Sequence, residues 1–268
     1  MSTRIGLLVV GILGLVWSPA RAADRLTDRD VKALVERIDE NRDRFKDALD
    51  DKVKNEVVRG TSGEVDVKRY LEDFKENIGR LKDRMKPEYA ASTEAAAVLR
   101  QGSAIERFFR SQSPGVRGES EWNRLASDLA ALARAYGAEF PLDEQTPVRR
   151  IGDGELVIAI GAVAQAADRL KKSLDQDLKK DPSVDKPSRE SAVARADELA
   201  KEAKALRDRV KDGKPSSSEA ERLLADAGKV REFIGSHKTP ASAGVWAQTP
   251  APLQTIAAAY GASRPGTW

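Results

Sequence analysis

The sequence predicts an all-α protein made by tandem duplication of an antiparallel four-helix bundle-like unit, with about eight helices in total. Three observations lead to this prediction. Ala, Leu, Lys, Arg, Asp and Glu dominate, and only 5% of residues are aromatic. Apolar residues recur at spacings of three, four and seven, the period of a helix with one buried face, and no alternation typical of strands is seen. The third observation is an internal repeat, since a charged stretch near the N-terminus returns in the second half of the chain.

The repeated stretch is residues 43–54, DRFKDALDDKVK, which recurs as residues 168–179, DRLKKSLDQDLK, at an offset of 125. Apolar positions keep this offset and then, after one deletion, an offset of 124: Ile38/Val163, Phe45/Leu170, Phe74/Leu199, Leu99/Leu224, Phe108/Phe233, Trp122/Trp246, Leu129/Leu253 and Tyr136/Tyr260. A stripe kept at constant spacing over such a length indicates tandem duplication.

The N-terminus is expected to be a secretory signal peptide spanning residues 1–22. It combines Arg4, an apolar run from Ile5 to Val16, and an Ala-x-Ala site ending at Ala22. The apolar run is shorter than the roughly 20 residues that a membrane-spanning helix needs. We therefore expect cleavage after Ala22 or one residue later, no transmembrane segment in the mature chain, and an exported protein, either periplasmic or secreted. The chain has no cysteine, so no disulfide or thiolate metal site is expected.

The charge balance argues against a nucleic-acid partner. Without Arg4 and Arg21 the chain has 44 basic and 43 acidic residues, and the two signs are interspersed along the sequence. Nucleic-acid binders usually concentrate positive charge on one face, whereas mixed charges are typical of solvated helix faces.

Four helices are predicted in the first repeat, residues 23–141. The first begins at a Thr27–Asp30 capping box and continues past Val53 and Val57 to the glycines of residues 60–63. The second carries Tyr70 to Met85 and stops before Pro87, and the third begins near Ser92. The fourth has Ser120 as its N-cap and is ended by Gly137.

The second repeat, residues 153–268, is predicted to follow a linker of residues 142–152. Gly152-Asp-Gly154 is interpreted as the turn and N-cap before the fifth helix. The last helix is expected to start near Pro250, because proline fits the first helical turn, with Trp246 in the preceding loop. Whether the repeats form two bundles or one joint core is open, and the separate stripes favour two.

The first candidate site is a set of eight charged residues, four at equivalent positions in each of the two repeats. If the first two helices are antiparallel about Gly63, Asp43 faces Arg84 and Arg44 faces Asp83. The equivalent residues of the second repeat are Asp168, Arg169, Asp208 and Arg209. The set is a candidate binding site for a charged ligand, but a set of interhelical ion pairs that fixes the helix register is the preferred interpretation.

Two aromatic pairs, 14 residues apart in each repeat, are the second candidate site: Trp122 with Tyr136, and Trp246 with Tyr260. Such residues can line a ligand pocket or a partner surface, but they are more often core anchors with a polar edge. The core interpretation is preferred for the tyrosines and is weaker for the tryptophans.

No residue pattern indicates catalysis, a cofactor or a metal. His237 is the sole histidine, which is too few for a haem, zinc or Glu-x-x-His di-iron site. No nucleophile motif accompanies it, and phosphate-binding and dinucleotide-binding glycine loops are absent from the sequence.

The expected function is therefore that of an exported, non-catalytic helical binding or scaffolding protein of the cell envelope or periplasm, with an unidentified protein or small-molecule partner. The alternative is a small-molecule carrier with an aromatic-lined pocket between helices or repeats, and an enzyme that uses only carboxylates is the third hypothesis. An aromatic cavity would favour the carrier, an exposed apolar patch the scaffold, and buried carboxylates with raised pKa values the enzyme.

Overall fold

The computed structural model describes residues 25–60, 63–111 and 117–262, and these residues form an all-α fold with one short β-hairpin. The predicted all-α class is confirmed, although the described residues contain ten helices instead of about eight. The predicted signal peptide lies outside the described residues. In chain order the elements are α1 (Asp28–Ala48), α2 (Asp51–Lys54), β1 (Val57–Gly60), β2 (Gly63–Asp66), α3 (Val67–Arg84), α4 (Ser92–Ser111), α5 (Glu119–Ala135), α6 (Asp153–Lys179), α7 (Lys186–Lys211), α8 (Ser217–Ser236), α9 (Pro240–Trp246) and α10 (Pro250–Ala259).

The end of the first helix differs from the prediction. α1 ends at Ala48, and the chain continues through the single turn of α2 into an antiparallel hairpin of β1 and β2. Val57 and Val58 are β-branched neighbours that suit a strand, where successive side chains point to opposite faces. Val58 is accordingly buried at 3% exposure, whereas Val57 is 59% exposed. Gly60 and Gly63, which were expected to end a helix, pair across the tip of the hairpin.

The described residues contain two hydrophobic cores, one in each half of the chain. The first runs from Val31 to Leu142 and the second from Leu156 to Tyr260. In the first half α1 packs on α3 and α5, and in the second half the long helix α6 packs on α7, α9 and α10. Each half therefore buries its own apolar stripe, as the sequence favoured, while the exact domain boundaries remain a prediction.

The helix start predicted from the sequence is correct for α1 and wrong for α5. Thr27 and Asp30 form the predicted capping box at the start of α1. At α5 the N-cap is Gly118 and not Ser120, which lies inside the helix. Gly118 has a left-handed backbone with φ of 91°, and a Cβ atom there would lie 3.0 Å from Cδ2 of Leu49. The sharp, closely packed turn therefore needs glycine.

The segment before the last helix is also helical, contrary to the prediction. Trp246 is the final residue of α9 and does not lie in a loop. A helix of seven residues is too short for periodicity to reveal it, and its start depends on a distant side chain. Asp177 of α6 accepts hydrogen bonds from the backbone nitrogen and the hydroxyl of Ser242, both at 2.8 Å. α10 begins at Pro250 as predicted.

The C-terminal ends of α5 and α10 have the same geometry. Gly137 and Gly261 adopt left-handed backbones with φ of 68° and 64°. In each case the residue that follows donates to a carbonyl five residues earlier, from Ala138 to Ala133 and from Ala262 to Ala257, both at 2.9 Å. This Schellman motif satisfies the last carbonyls of both helices. Both ends border the cleft described below.

None of the helices formed by residues 25–60, 63–111 and 117–262 combines the length and the apolar character required to cross a bilayer.

Candidate functional site

The N-termini of α1 and α6 meet at the boundary between the halves. The backbone nitrogen of Asp28 donates to the carboxylate of Asp153 at 2.8 Å, and the backbone nitrogen of Asp153 donates to the carboxylate of Asp28 at 2.9 Å. Helix N-termini carry partial positive charge and would repel each other. Each carboxylate offsets that repulsion by lying at the N-terminus of the other helix.

Two buried arginines complete this arrangement. Arg25 binds the carboxylate of Asp153 at 2.5 Å, and Arg150 binds that of Asp28 at 2.8 Å. The arginine side chains are 8% and 3% exposed. We call Arg25, Asp28, Arg150 and Asp153 the inter-half cluster. Its contacts repeat at an offset of 125, which gives the boundary a local pseudo-two-fold symmetry.

A cleft of about 790 Å³ opens beside the inter-half cluster. One wall is the C-terminal part of α5 with the residues that follow it, the other wall is α10, and the two arginines of the cluster lie between them. We call this space the inter-half cleft. The lining residues used below are Leu26, Arg134, Arg149, Ile151, Ala251, Gln254, Ala258 and Tyr260.

Among the described residues, the charged side chains that line the cleft are all arginines. Arg25 and Arg150 are engaged by the carboxylates of the cluster. Arg149 is exposed and forms a loose pair with Glu155 at 3.6 Å. Arg134 is exposed, and no carboxylate in the described part of the chain lies within ion-pair distance of it. Two guanidinium groups are therefore available to a ligand.

The opposite wall carries no charge. α10 reads PAPLQTIAAA and has no Asp, Glu, Lys or Arg, although a third of the whole chain is charged. Ala251, Gln254 and Ala258 are exposed and line the cleft. An exposed helix face of small, uncharged residues is unusual in so charged a chain. The cleft thus has one cationic and one mostly apolar wall.

The predicted tryptophans lie in the two cores, outside the cleft lining. Trp122 packs against Phe45 and Phe109, with ring centroids 5.3 and 5.9 Å away. Its indole nitrogen donates to Glu106. Trp246 is also buried, but its indole nitrogen has no hydrogen-bond partner among the described residues. Neither side chain is therefore positioned to contact a ligand in the cleft.

The predicted tyrosines are buried with their hydroxyl groups engaged. Tyr136 donates to the carbonyl of Ala90 at 2.7 Å, and the hydroxyl of Tyr260 lies 2.7 Å from that of Ser216. Burial raises the pKa of both phenols above the ordinary value. Tyr260 alone of the four predicted aromatic residues lines the cleft.

The predicted charged cluster of the first half is not assembled. Asp43 pairs with Arg42 at 2.5 Å and lies 3.9 Å from Lys75. Arg84, its expected partner, pairs with Glu94 at 3.6 Å. The remaining two residues do not meet either, since Arg44 pairs with Glu40 at 3.8 Å and Asp83 is exposed.

The reason is the hairpin, which replaces the expected tight turn between the two helices. It shifts α3 along α1, so that Lys46 pairs with Glu72 and Lys82 pairs with Asp39 at 3.5 Å. Residues that were expected to face each other across the two helices, such as Asp43 and Arg84, therefore lie more than one helical turn apart along the helix axes.

The second-half set is also dispersed. Asp168 pairs with Lys204 at 2.9 Å, and Asp208 pairs with Arg207 at 3.1 Å. Arg209 pairs with Glu219 at 3.2 Å, the counterpart of the Arg84–Glu94 pair at an offset of 125. Arg169 donates to the carbonyl of Gln165.

A pair of carboxyl groups between α7 and α8 was not predicted. Burial, followed by the nearby negative charge of Asp226, raises the pKa of Glu202 to about 7. The counterpart residues 125 positions earlier, Asn77 and Gln101, form an amide hydrogen bond of 2.6 Å. Comparison of the two halves at the offset of 125 would have found the carboxyl pair of Glu202 and Asp226. It lies outside the cleft.

Arg42 is a second feature that periodicity did not reveal. Its side chain is fully buried, and within the described residues its Nε and Nη1 atoms have no hydrogen-bond partner, while Nη2 makes only ion-pair contacts. Asp43 at 2.5 Å and Asp39 at 3.6 Å balance the charge. The counterpart position in the second half is Ala167, so this buried charge belongs to one half only. It lines none of the clefts found in the described residues.

Within the described residues, no three His, Asp or Glu side chains lie close enough together to hold a metal ion. Comparisons with protein-family models, with curated proteins and with solved structures returned no match. The geometry of the inter-half cleft is therefore the main guide to function.

Proposed function

We propose that the chain is an exported, non-catalytic binding protein of the cell envelope or periplasm that holds a ligand in the inter-half cleft. The observation that carries this proposal is the cleft itself. Its volume of about 790 Å³ falls in the range of about 300–1,000 Å³ usual for ligand sites, and it lies between two separately packed halves, a common location for such sites.

Two sequence features support the rest of the proposal. The signal-like residues 1–22 and the lack of cysteine support export. The offset of 125, which relates both the apolar stripes and the contacts of the inter-half cluster, supports an origin by tandem duplication. Duplication accounts for a binding site at the boundary between similar halves.

The chemistry of the cleft supports binding over catalysis. Arginine stays protonated at all ordinary pH values, so the four lining guanidinium groups cannot exchange protons with a substrate. The hydroxyl of Tyr260 is engaged by Ser216. The raised pKa of Glu202 would suit an acid or base, but this carboxyl lies outside the cleft.

The residues of the cleft support one form of the binding hypothesis over the other. Exposed large apolar residues would suit a scaffold, but Val57, Tyr89 and Ile158 belong to three different segments of the chain. A carrier with an aromatic-lined pocket is the second candidate, and among the described residues only Tyr260 supplies an aromatic ring to the cleft. A carrier whose site is lined by arginine and alanine fits the residues better.

The test is to fill the cleft. Ala258→Trp places an indole on the α10 wall, and Ala225→Trp makes the same change at an exposed position of α8 outside the cleft. Each protein is isolated from its native compartment, and bound small molecules are extracted and identified by mass spectrometry. We expect a compound that is retained by the wild type and A225W and lost from A258W.

Retention of the same compound by A258W would show that the cleft is not the site. A wild-type protein that carries no small molecule, even after incubation with an extract of its native compartment, would contradict the proposal. N-terminal sequencing of the mature protein tests export separately, with a new N-terminus at residue 23 or 24 expected.

A further inference from the structure

We infer that the ligand of the inter-half cleft is a small amphiphilic oxyanion, a carboxylate or phosphate ester attached to an apolar body. This inference rests on the proposed function and adds the chemical class of the ligand. It comes from the unequal walls of the cleft, one carrying available guanidinium groups and the other uncharged small residues.

The head group follows from the state of the four arginines. Arg25 and Arg150 are buried and engaged, so they fix the boundary and add positive potential. Arg134 has no ion-pair partner in the described part of the chain, and the pair of Arg149 with Glu155 is exposed, 3.6 Å long and therefore weak. An oxyanion can replace that weak pair and accept two hydrogen bonds from the planar fork of a guanidinium.

A cation is disfavoured by the same inventory. Within residues 25–60, 63–111 and 117–262 the lining contains four arginines and no Asp or Glu, and the carboxylates of Asp28 and Asp153 already neutralise the buried arginines. A cationic ligand would meet repulsion without a counter-charge.

The apolar body follows from the rest of the lining. Ala251 and Ala258 present methyl groups from α10, and Leu26 and Ile151 add aliphatic carbon beside the cluster. Apolar surface of a ligand that is removed from water there favours binding. A purely inorganic anion would leave this wall in contact with water, whereas an alkyl or ring substituent would cover it.

The test uses four probes: octanoate, octyl phosphate, octanamide and acetate. Binding is followed by amide chemical shifts of ¹⁵N-labelled full-length mature protein. We expect octanoate or octyl phosphate to shift the amides of Gly137, Ala258 and Gly261. Octanamide has the body without the charge, and acetate has the charge without the body, so each should bind about tenfold or more weakly. The stronger of the two anions identifies the head group.

Two variants test the assigned contacts. R134A/R149A should weaken the binding of the preferred anion about tenfold and leave that of octanamide unchanged. Arg195→Ala removes one positive charge at an exposed position of α7 outside the cleft. It should change the binding of neither the preferred anion nor octanamide. Chemical shifts away from positions 134 and 149 report whether the double variant remains folded.

The outcomes separate the inference from the proposed function. Equal binding of octanamide and octanoate in the cleft would overturn the anion assignment and leave a binding cleft. Absence of binding by all four probes would overturn the inference, while a native compound lost from A258W would still support the proposed function. Tight binding that is insensitive to R134A/R149A would refute the assigned residues.

Discussion

Arg25 and Arg150, 125 positions apart, make the same two contacts with the opposite half of the protein. Arg25 binds Asp153 and donates to the carbonyl of Ile151 at 2.7 Å. Arg150 binds Asp28 and donates to the carbonyl of Leu26 at 2.7 Å. The helix N-termini of the two halves are therefore held together by paired charges, and these charges form the rigid base of the cleft.

Loss of Arg150 should destabilise the protein strongly. Arg150→Ala would leave the partly buried Asp28 without its cation, and breaking such a pair costs about 3 kcal/mol. The free energy of unfolding, from urea denaturation at pH 7, should fall by this amount. Arg149→Ala, one residue away at an exposed position, should change it by less than about 0.5 kcal/mol. Equal effects of the two substitutions would show that the cluster does not hold the halves together.

Periodicity anticipated the cores because it follows local geometry. The buried stripe of Val31, Leu34, Val35 and Ile38 is a direct consequence of the 3.6-residue helical repeat. The inter-half cluster was missed because Arg25 and Arg150 lie outside the helices, and their pairing depends on how the halves dock. The offset of 125 between them was nevertheless present in the sequence.

The error over Asp43 and Arg84 has a different origin. The helix register was derived from an assumed tight helical turn, and the β-branched residues of the hairpin changed the connection. When the connection between the two helices changes by a few residues, every pairing across the helices shifts. Pairs of surface charges are therefore predicted less well than core positions. The offset still related Arg84–Glu94 to Arg209–Glu219, because each pair depends on one short, repeated connection.

The two equivalent tryptophans should respond differently to replacement by phenylalanine. Trp122→Phe removes the hydrogen bond to the partly buried Glu106 and should lower the free energy of unfolding by about 1–2 kcal/mol. Trp246→Phe removes a buried donor that has no partner, which offsets the loss of apolar area, so its effect should be below about 1 kcal/mol. Urea denaturation of both variants under one set of conditions provides the comparison. A larger loss for W246F than for W122F would contradict the assignment of hydrogen bonds.

The start of α9 should depend on Asp177. Its carboxylate replaces a local N-cap by accepting two hydrogen bonds from Ser242. Asp177→Ala should therefore lower the free energy of unfolding by about 1–2 kcal/mol, the usual cost of losing a cap. Asp175→Ala, on the same helix, removes an exposed pair with Lys179 and a loose pair with Arg189 at 3.8 Å, and should cost less than about 1 kcal/mol. Amide hydrogen exchange in residues 240–246 should accelerate in D177A alone, and unchanged exchange there would rule out the capping role.

Stability should fall between pH 5 and pH 8 because of Glu202. Its pKa is about 7 in the folded protein and ordinary in the unfolded chain, so the protonated form stabilises the fold. That contribution is complete below about pH 4.5 and is lost as the pH rises through 7. Asp226 and Glu198 face the group as like charges, Arg222 opposes them, and Lys229 pairs with Asp226 at 2.6 Å. After allowance for solvent screening we expect a change of about 1 kcal/mol.

Glu202→Gln should remove this pH dependence and raise stability at pH 8, as measured by thermal unfolding at several pH values. The first half offers the reciprocal control, because Asn77 and Gln101 form an uncharged pair at the equivalent positions. Asn77→Glu with Gln101→Asp should introduce the same loss of stability between pH 5 and pH 8, since two carboxylates brought together between helices disfavour double ionisation. Identical pH profiles for the wild type and E202Q would show that the carboxyl pair does not titrate in this range.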